Sequence, residues 1–520
     1  MVRKAIHCLL ICLNLLIFQF HLSSAEAKKV KAQPEASKCL TTEGFTETTH
    51  ELVINGKSIA YKAVAGTLLL KDEKCDPKAS IFFISYMKEK VTDLSQRPIT
   101  FCFNGGPGSS SVWLHLGTFG PKRVALTDNG DALPPYHLID NEFSILDDTD
   151  LVFIDPVSTG FSRAIPPESA KDYHGVEEDI KSMAEFIRIY ITQYHRWESP
   201  KFIAGESYGT TRAVGLAGYL HKNYYLNING LILVSSVLNF QSIDFNAGND
   251  LPYLLFLPSY TATAWYHKKL PPDLQQLPLE EVLKIAREFV DNVYANALFK
   301  GDLLSKDQYQ KVAREIAHLT GLSVDYVEKS QLRIDMMRYV KELLRNNRRT
   351  IGRFDSRFLG IDIDAVGEYF EYDPSMDAIF GAFTATLNHY IYNDLKWKGE
   401  SHYKILTDVQ PWKYGNGNQY LNVAETLRSI MTRNPYLRIF VANGCYDLAT
   451  PFFATEYTFN HLGLDPSFPN RVMMTYYDAG HMMYIYRPAL IKLKEDLAKF
   501  FRITLEAQEK ELHTNDSISH

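Results

Sequence analysis

Apolar and polar residues alternate from Thr46 to Lys88, through THELVINGKSIAYKAVAGTLLL and then ASIFFISYMK. A period of two puts every second side chain on one face, so this region predicts antiparallel strands that open a sheet. Asn55-Gly56, between two alternating runs, supplies a hairpin turn signal. Short apolar runs then recur at 99–104 (ITFCFN), 150–155 (DLVFID), 201–205 (KFIAG), 230–236 (GLILVSS), 438–444 (RIFVANG) and 471–480 (RVMMTYYDAG). Short runs without alternation fit strands buried on both faces. Helical spacing separates several of them, as in 176–195 (VEEDIKSMAEFIRIYITQYH). Strands alternating with helices predict a mostly parallel, doubly wound α/β sheet.

Between roughly 240 and 425 the pattern changes. Residues 280–299 (EEVLKIAREFVDNVYANALF), 306–319 (KDQYQKVAREIAHL) and 334–346 (IDMMRYVKELLRN) carry apolar residues at helical spacing. A helical insertion between late strands predicts a cap over the sheet's carboxyl edge, where ligands bind in open α/β sheets. A separate helical domain is the competing reading, and the strand pattern resuming at Arg438 favours the insertion. The stretch 251–267 (LPYLLFLPSYTATAWYH) either lines an apolar pocket or packs a core. The organisation expected is an α/β core over 46–240 and 426–505 and a mainly helical cap over 241–425. A flexible segment over 28–45 and a polar tail over 506–520 flank it.

Length changes this picture little: 520 residues fit two to four domains, or one large α/β domain with insertions. Apolar residues make up 46% and charged residues 22%, close to ordinary globular usage. That excludes a disordered chain, a coiled coil, a collagen-like fibre and a polytopic membrane protein. A net charge of −6 with no basic stripe offers no footprint for nucleic acid. Met1 to Ala27 changes more. Arg3 and Lys4 precede an apolar run from Cys8 to Phe20, and Ala25-Glu26-Ala27 closes it. This is the layout of a secretory signal peptide, and the run is short of the ~20 apolar residues a membrane anchor needs. The expected address is therefore secreted or periplasmic, with no membrane span after cleavage.

Cys39, Cys75, Cys102 and Cys445 lie beyond that segment. No C-x-x-C pair or zinc-ligand spacing occurs, so neither metal nor cofactor is expected. Cys39 and Cys75 are candidates for a disulfide in an exported chain. Cys102 and Cys445, at the ends of apolar strands, read as buried thiols.

Gly205-Glu206-Ser207-Tyr208-Gly209 follows the run KFIA and precedes TTRAVGLAGYLHK. This is G-x-S-x-G between strand and helix, the turn that lifts a serine hydroxyl above a sheet. A neutral serine is a weak nucleophile and needs a base. Asp447, in NGCYDLATP, and His481, in DAGHMMY, both follow strands, in the chain order Ser, Asp, His. His481 would take the Ser207 proton and return it to the leaving group, and Asp447 would hold the imidazole tautomer. Asn104-Gly105-Gly106-Pro107-Gly108 follows ITFCF, and Gly106 N–H with Tyr208 N–H would meet a developing oxyanion. A phosphate cradle is excluded, since no Lys-Ser/Thr follows at Walker spacing.

These segments resemble the serine carboxypeptidase family of α/β-hydrolases, as a divergent, bacterial-type member. The resemblance lies in FNGGPGSSSVWLHLGTFGP, DLVFIDPVSTGFS, FIAGESYGTTRAVG, VANGCYDLATP and DAGHMM, spread in family order over most of the chain. It implies hydrolysis of a C-terminal peptide bond through an acyl-enzyme, with peptide or protein C-termini as substrates. It also implies that Asn104 and Glu206 bind the substrate's terminal carboxylate, with Gly105 among the substrate-binding residues. Four positions depart from the family pattern. Cys102 replaces a tryptophan, Ser109 a cysteine, Thr118 the glutamate of E-x-G-P, and Cys445 the first aspartate of G-D-x-D. In the strand order the family implies, two strands separate Cys102 from Cys445. The gap, roughly 14 Å at ~4.8 Å per step, is too wide for a disulfide. A related acyl-transfer enzyme (acyltransferase, esterase or aminopeptidase) is the alternative function. A non-catalytic binding protein is the third reading, and an intact Ser207, Asp447 and His481 speaks against it.

Overall fold

β1 (Phe45–Ile54) and β2 (Lys57–Lys71) turn on Asn55 and Gly56, both in the left-handed region at φ 51° and 74°. β3 (Pro77–Lys88) continues the antiparallel ribbon, and β1 alternates exposed with half-buried or buried side chains, as its period of two requires. In this computed structural model the described residues are 44–516 apart from 416 and 467–469, with side chains described through Glu506. The signal segment Met1 to Ala27 and Cys39 lie outside them. β1 begins within the segment read as flexible.

Six parallel strands follow: β4 (Ile99–Phe103), β5 (Asp150–Ile154), β6 (Lys201–Ser207), β7 (Gly230–Ser236), β8 (Arg438–Gly444) and β9 (Val472–Tyr477). The sheet order is β1-β2-β3-β5-β4-β6-β7-β8-β9, and a two-residue strand, Arg163–Ala164, also pairs with β3. β5 joins β3 antiparallel, and every later pairing is parallel. Consecutive side chains of one strand enter opposite cores. Phe202 and Ala204 pack with α9 (Arg487–Asp516), whereas Ile203 packs with α1 (Val176–Gln193), α2 (Tyr208–Tyr224) and α7 (Ala424–Arg433). Helices on both faces explain why these strands read as unbroken apolar runs. β6 and β7 lie between β4 and β8, and Cys102 and Cys445 are buried free thiols. Cys75 is an exposed thiol with no disulfide among the described residues.

The residues between β7 and β8 do not behave as one unit. α3 (Leu251–Tyr266), α4 (Leu279–Phe289) and α5 (Lys306–Thr320) share a core of their own, to which Phe256, Leu257 and Tyr260 belong. The aromatic stretch 251–267 is thus largely core. α6 (Pro374–His389), with Tyr403 and Ile405, instead joins the cluster on one face of the sheet. α9 runs on through Asp516, into the residues read as a polar tail.

Candidate active site

All the chemistry-bearing segments leave the carboxyl ends of parallel strands. Ser207 closes β6 at φ 60° and ψ −131°, a strained conformation for a residue with a β-carbon, and Tyr208 opens α2. Gly205 is required because a β-carbon there would overlap the Gly209 carbonyl. A β-carbon on Gly105 would stand 2.5 Å from Tyr208 N, so the loop after β4 lies against the elbow and the start of α2. The Tyr208 N–H, first in its helix, has no carbonyl one turn back to satisfy it. Gly106 follows in the same loop, at φ 100°.

That loop is held from two sides. Ser111 donates from its N–H (2.9 Å) and its hydroxyl (3.0 Å) to Asp155 Oδ1, just past β5. Burial pushes the Asp155 carboxyl up to about 6. Residues 404–409 cross the other side, where Thr407 N–H donates to Gly108 O at 2.9 Å and Ser110 N–H to Ile405 O at 2.9 Å. Ser109 accepts from Trp113 Nε1 at 3.0 Å. Beneath, fully buried Arg212 donates to Asn104 O (2.5 Å) and Asp179 (2.7 Å), with Phe103 and Tyr208 rings against its guanidinium.

Asp447 is wholly buried after β8. Its Oδ1 accepts from Ala449 N–H (2.7 Å) and Thr450 N–H (2.9 Å), and its Oδ2 from the Thr450 hydroxyl (2.8 Å). His481 Nδ1 lies 2.7 Å from the same Oδ2. A carboxylate there assigns the proton to Nδ1 and leaves a lone pair on Nε2. Nε2 is buried and has no hydrogen-bond partner among the described residues. The His481 backbone is tied on both sides: its N–H donates to Phe354 O at 2.6 Å, and its carbonyl accepts from the Ser235 hydroxyl at 2.6 Å. The Phe354 ring meets the imidazole edge-on, and Asp355 Oδ2 accepts from Gly480 N–H at 3.0 Å.

Glu206 is buried beside Ser207. Its Oε1 accepts from Asn104 Nδ2 at 2.9 Å and its Oε2 from the Tyr484 hydroxyl at 2.7 Å. Burial drives its carboxyl up to about 7; His481 and the two donors oppose the shift, and Asp447 adds to it. Asn104 is oriented by Leu114 N–H, which donates to its Oδ1 at 3.1 Å. The structure thus joins Asn104, Gly105, Glu206 and Tyr208 along one edge, and Asp447 with His481 next to them. Sequence reasoning missed Thr450, Phe354, Asp355, residues 404–409 and Tyr484. Thr450 had a local signal, since a threonine three residues after a buried aspartate can bond it through both N–H and hydroxyl. Asp355 and Phe354 had none.

Residues 59–487 match the family model described as serine carboxypeptidase. The chain belongs to the serine carboxypeptidase family. Serine carboxypeptidase-like 45 of Arabidopsis thaliana is 27% identical over 198 residues, 36% of this chain and 39% of that protein. The pheromone-processing carboxypeptidase KEX1 of Saccharomyces cerevisiae is 33% identical over 178 residues, 32% of this chain and 23% of that one. The chain therefore spans well under two thirds of these curated serine carboxypeptidase relatives in alignment. The crystal structure of Kex1(delta)p, a prohormone-processing carboxypeptidase from Saccharomyces cerevisiae, superposes with a TM-score of 0.51 at 18% identity. It covers 83% of this chain and 89% of that one. The fold is the α/β-hydrolase fold of the serine carboxypeptidases. Among the described residues no helix is long and apolar enough to cross a membrane.

Proposed function

We propose that this protein is an exported serine-type carboxypeptidase that cleaves the last peptide bond of its substrate through an acyl-enzyme on Ser207. The observation that carries the reading is the Glu206 carboxyl, buried against the nucleophile and kept protonated to about pH 7. A serine hydrolase of simple esters has no use for such a group. A substrate ending in a carboxylate does, because a neutral carboxyl can donate to it where an ionised one repels it. Asn104 offers the second donor, and Gly105 lets the backbone approach.

In this reading the residues act in turn. The Ser207 proton passes to His481 Nε2 as Oγ attacks the scissile carbonyl. Asp447 steadies the imidazolium through Nδ1–H. Gly106 N–H and Tyr208 N–H receive the oxyanion. His481 then protonates the departing amino group, the C-terminal amino acid leaves, and water repeats the steps to release the shortened peptide. Export rests on the Met1–Ala27 pattern.

The test is release of free amino acids from N-blocked dipeptides across pH 4 to 8, together with fluorophosphonate labelling of Ser207. Amino-acid release with labelling supports the reading. Labelling and ester cleavage without release from any dipeptide would show an acyl hydrolase of another substrate class, the alternative that Thr118 in place of a second carboxyl favours.

A further inference from the structure

Tyr484 lies three residues past His481, in the one-turn segment Met483–Ile485. It is buried, and its hydroxyl reaches across to Glu206 Oε2 at 2.7 Å. Its ring fills space that exists only because residue 117 is glycine: a β-carbon on Gly117 would overlap the Tyr484 ring. The next residue is Thr118, where the family pattern places a second carboxyl. The loop after His481 thus delivers a hydroxyl to Glu206.

A phenol differs from a carboxyl in one decisive respect. Burial and the nearby Glu206 push the Tyr484 hydroxyl well above its ordinary range, so it keeps its proton and donates it to Glu206. Both Glu206 oxygens receive a donor, and the phenol at 2.7 Å is the shorter of the two, against 2.9 Å for Asn104 Nδ2, so it favours carbonyl character at Oε2. The acid's own proton then sits on Oε1, which keeps a lone pair for Asn104 Nδ2. We propose that Tyr484 is a positioning residue for substrate specificity: by occupying Glu206 Oε2 it aims the Glu206 proton, from Oε1, at the substrate's terminal carboxylate. This rests on the carboxypeptidase reading above. The titratable groups acting on Glu206 are Tyr484, His481 and Asp447, and the proton offered to the substrate's carboxylate is that of Glu206.

Tyr484→Phe tests this, because it keeps the ring over Gly117 and removes only the donor. The KM for N-blocked dipeptides is expected to rise about ten-fold relative to the KM of the matching ester without a free carboxylate. The alkaline rise in peptide KM should also move to higher pH, because ionised Glu206 loses a donor that stabilised it. A purely structural role would move neither quantity. A Phe variant with the wild-type KM ratio and alkaline limb overturns the proposal, as does an equal loss of kcat on peptide and ester with both KM values kept. If the wild-type protein itself releases no amino acid from dipeptides, the carboxypeptidase reading has failed, and that is visible before any variant is made.

Discussion

The nucleophile side and the histidine side of this site are built in opposite ways. Ser207 and the loop after β4 are positioned by backbone touching backbone: Gly205 against Gly209, Gly105 against Tyr208 N, on adjacent strands of one sheet. His481 is positioned by a distant segment. Phe354 accepts from its N–H, Asp355 from the neighbouring Gly480 N–H, and Asp373 in turn accepts from the N–H groups of Arg353 and Phe354. The chain between β7 and β8 therefore grips His481. On the first side glycines let backbone meet backbone, with Asp155 and Arg212 bracing the loop. On the second, precision comes from a buried carboxylate paired with Arg357, whose guanidinium donates to Asp355 at 2.9 and 2.6 Å.

The largest effect should come from the nucleophile. Ser207→Ala is expected to lower turnover by on the order of a millionfold while the melting temperature stays near wild type. Activity near wild type in the purified variant would remove the nucleophile side of the comparison altogether. Gly105→Ala should come next, with kcat down by roughly 10²–10³, because the loop must retreat from Tyr208 N and carries the Gly106 donor with it. A kinetic scan showing only a KM change would place Gly105 in binding and not in the geometry of the elbow.

Asp355→Ala is the corresponding break on the histidine side. It removes the carboxylate partner of Arg357, leaving its guanidinium the Asp478 carbonyl, and frees Gly480 N–H, so a stability loss of about 3 kcal/mol is expected by denaturant titration. With the His481 backbone loosened, kcat should fall by about ten- to a hundred-fold on peptide and ester alike. Full kcat in Asp355→Ala would show that Phe354 and Ser235 suffice to hold the histidine.

The smallest effect is also the most selective. Glu206 is neutral below about pH 7 and ionised above it, so the peptide KM should climb as pH rises through that value. An ester without a free carboxylate should show no such climb. Glu206→Gln, which donates at every pH, should flatten the peptide profile, with a difference of about ten-fold by pH 8. A Gln variant that keeps the wild-type KM profile would mean that Glu206 does not recognise a carboxylate.

The two sides also differ in how far the sequence displays them. Six parallel strands, the elbow, the turn at Asn55-Gly56 and the order Ser207, Asp447, His481 were all legible, because each is written in consecutive residues. Close backbone approach demands glycine, and glycine in a motif can be read. Asp355 sits in RFDSRF, an unremarkable polar stretch 125 positions from Gly480. Nothing local marks a carboxylate whose partner is a backbone N–H of another segment. Tyr484 was hidden for a similar reason. Its partner, Glu206, is 278 residues away, and the glycine that admits its ring lies in a third segment. The fate of α6 was equally hidden, because its apolar face does not say whether it will meet a cap or a sheet.

The crossing of residues 404–409 over the loop after β4 has a consequence in time. Ser110 bonds Ile405 and Gly108 bonds Thr407 across almost three hundred residues of chain, whereas the elbow is completed by neighbours within a few residues of Ser207. Neither bond can form until both distant segments are in place, which needs the sheet that carries the loop after β4. In refolding from denaturant, the sheet and elbow should therefore assemble before the oxyanion donors are in register. Recovery of fluorophosphonate labelling should then lag behind recovery of far-ultraviolet dichroism, and the protein should pass through a stage that is folded yet inert.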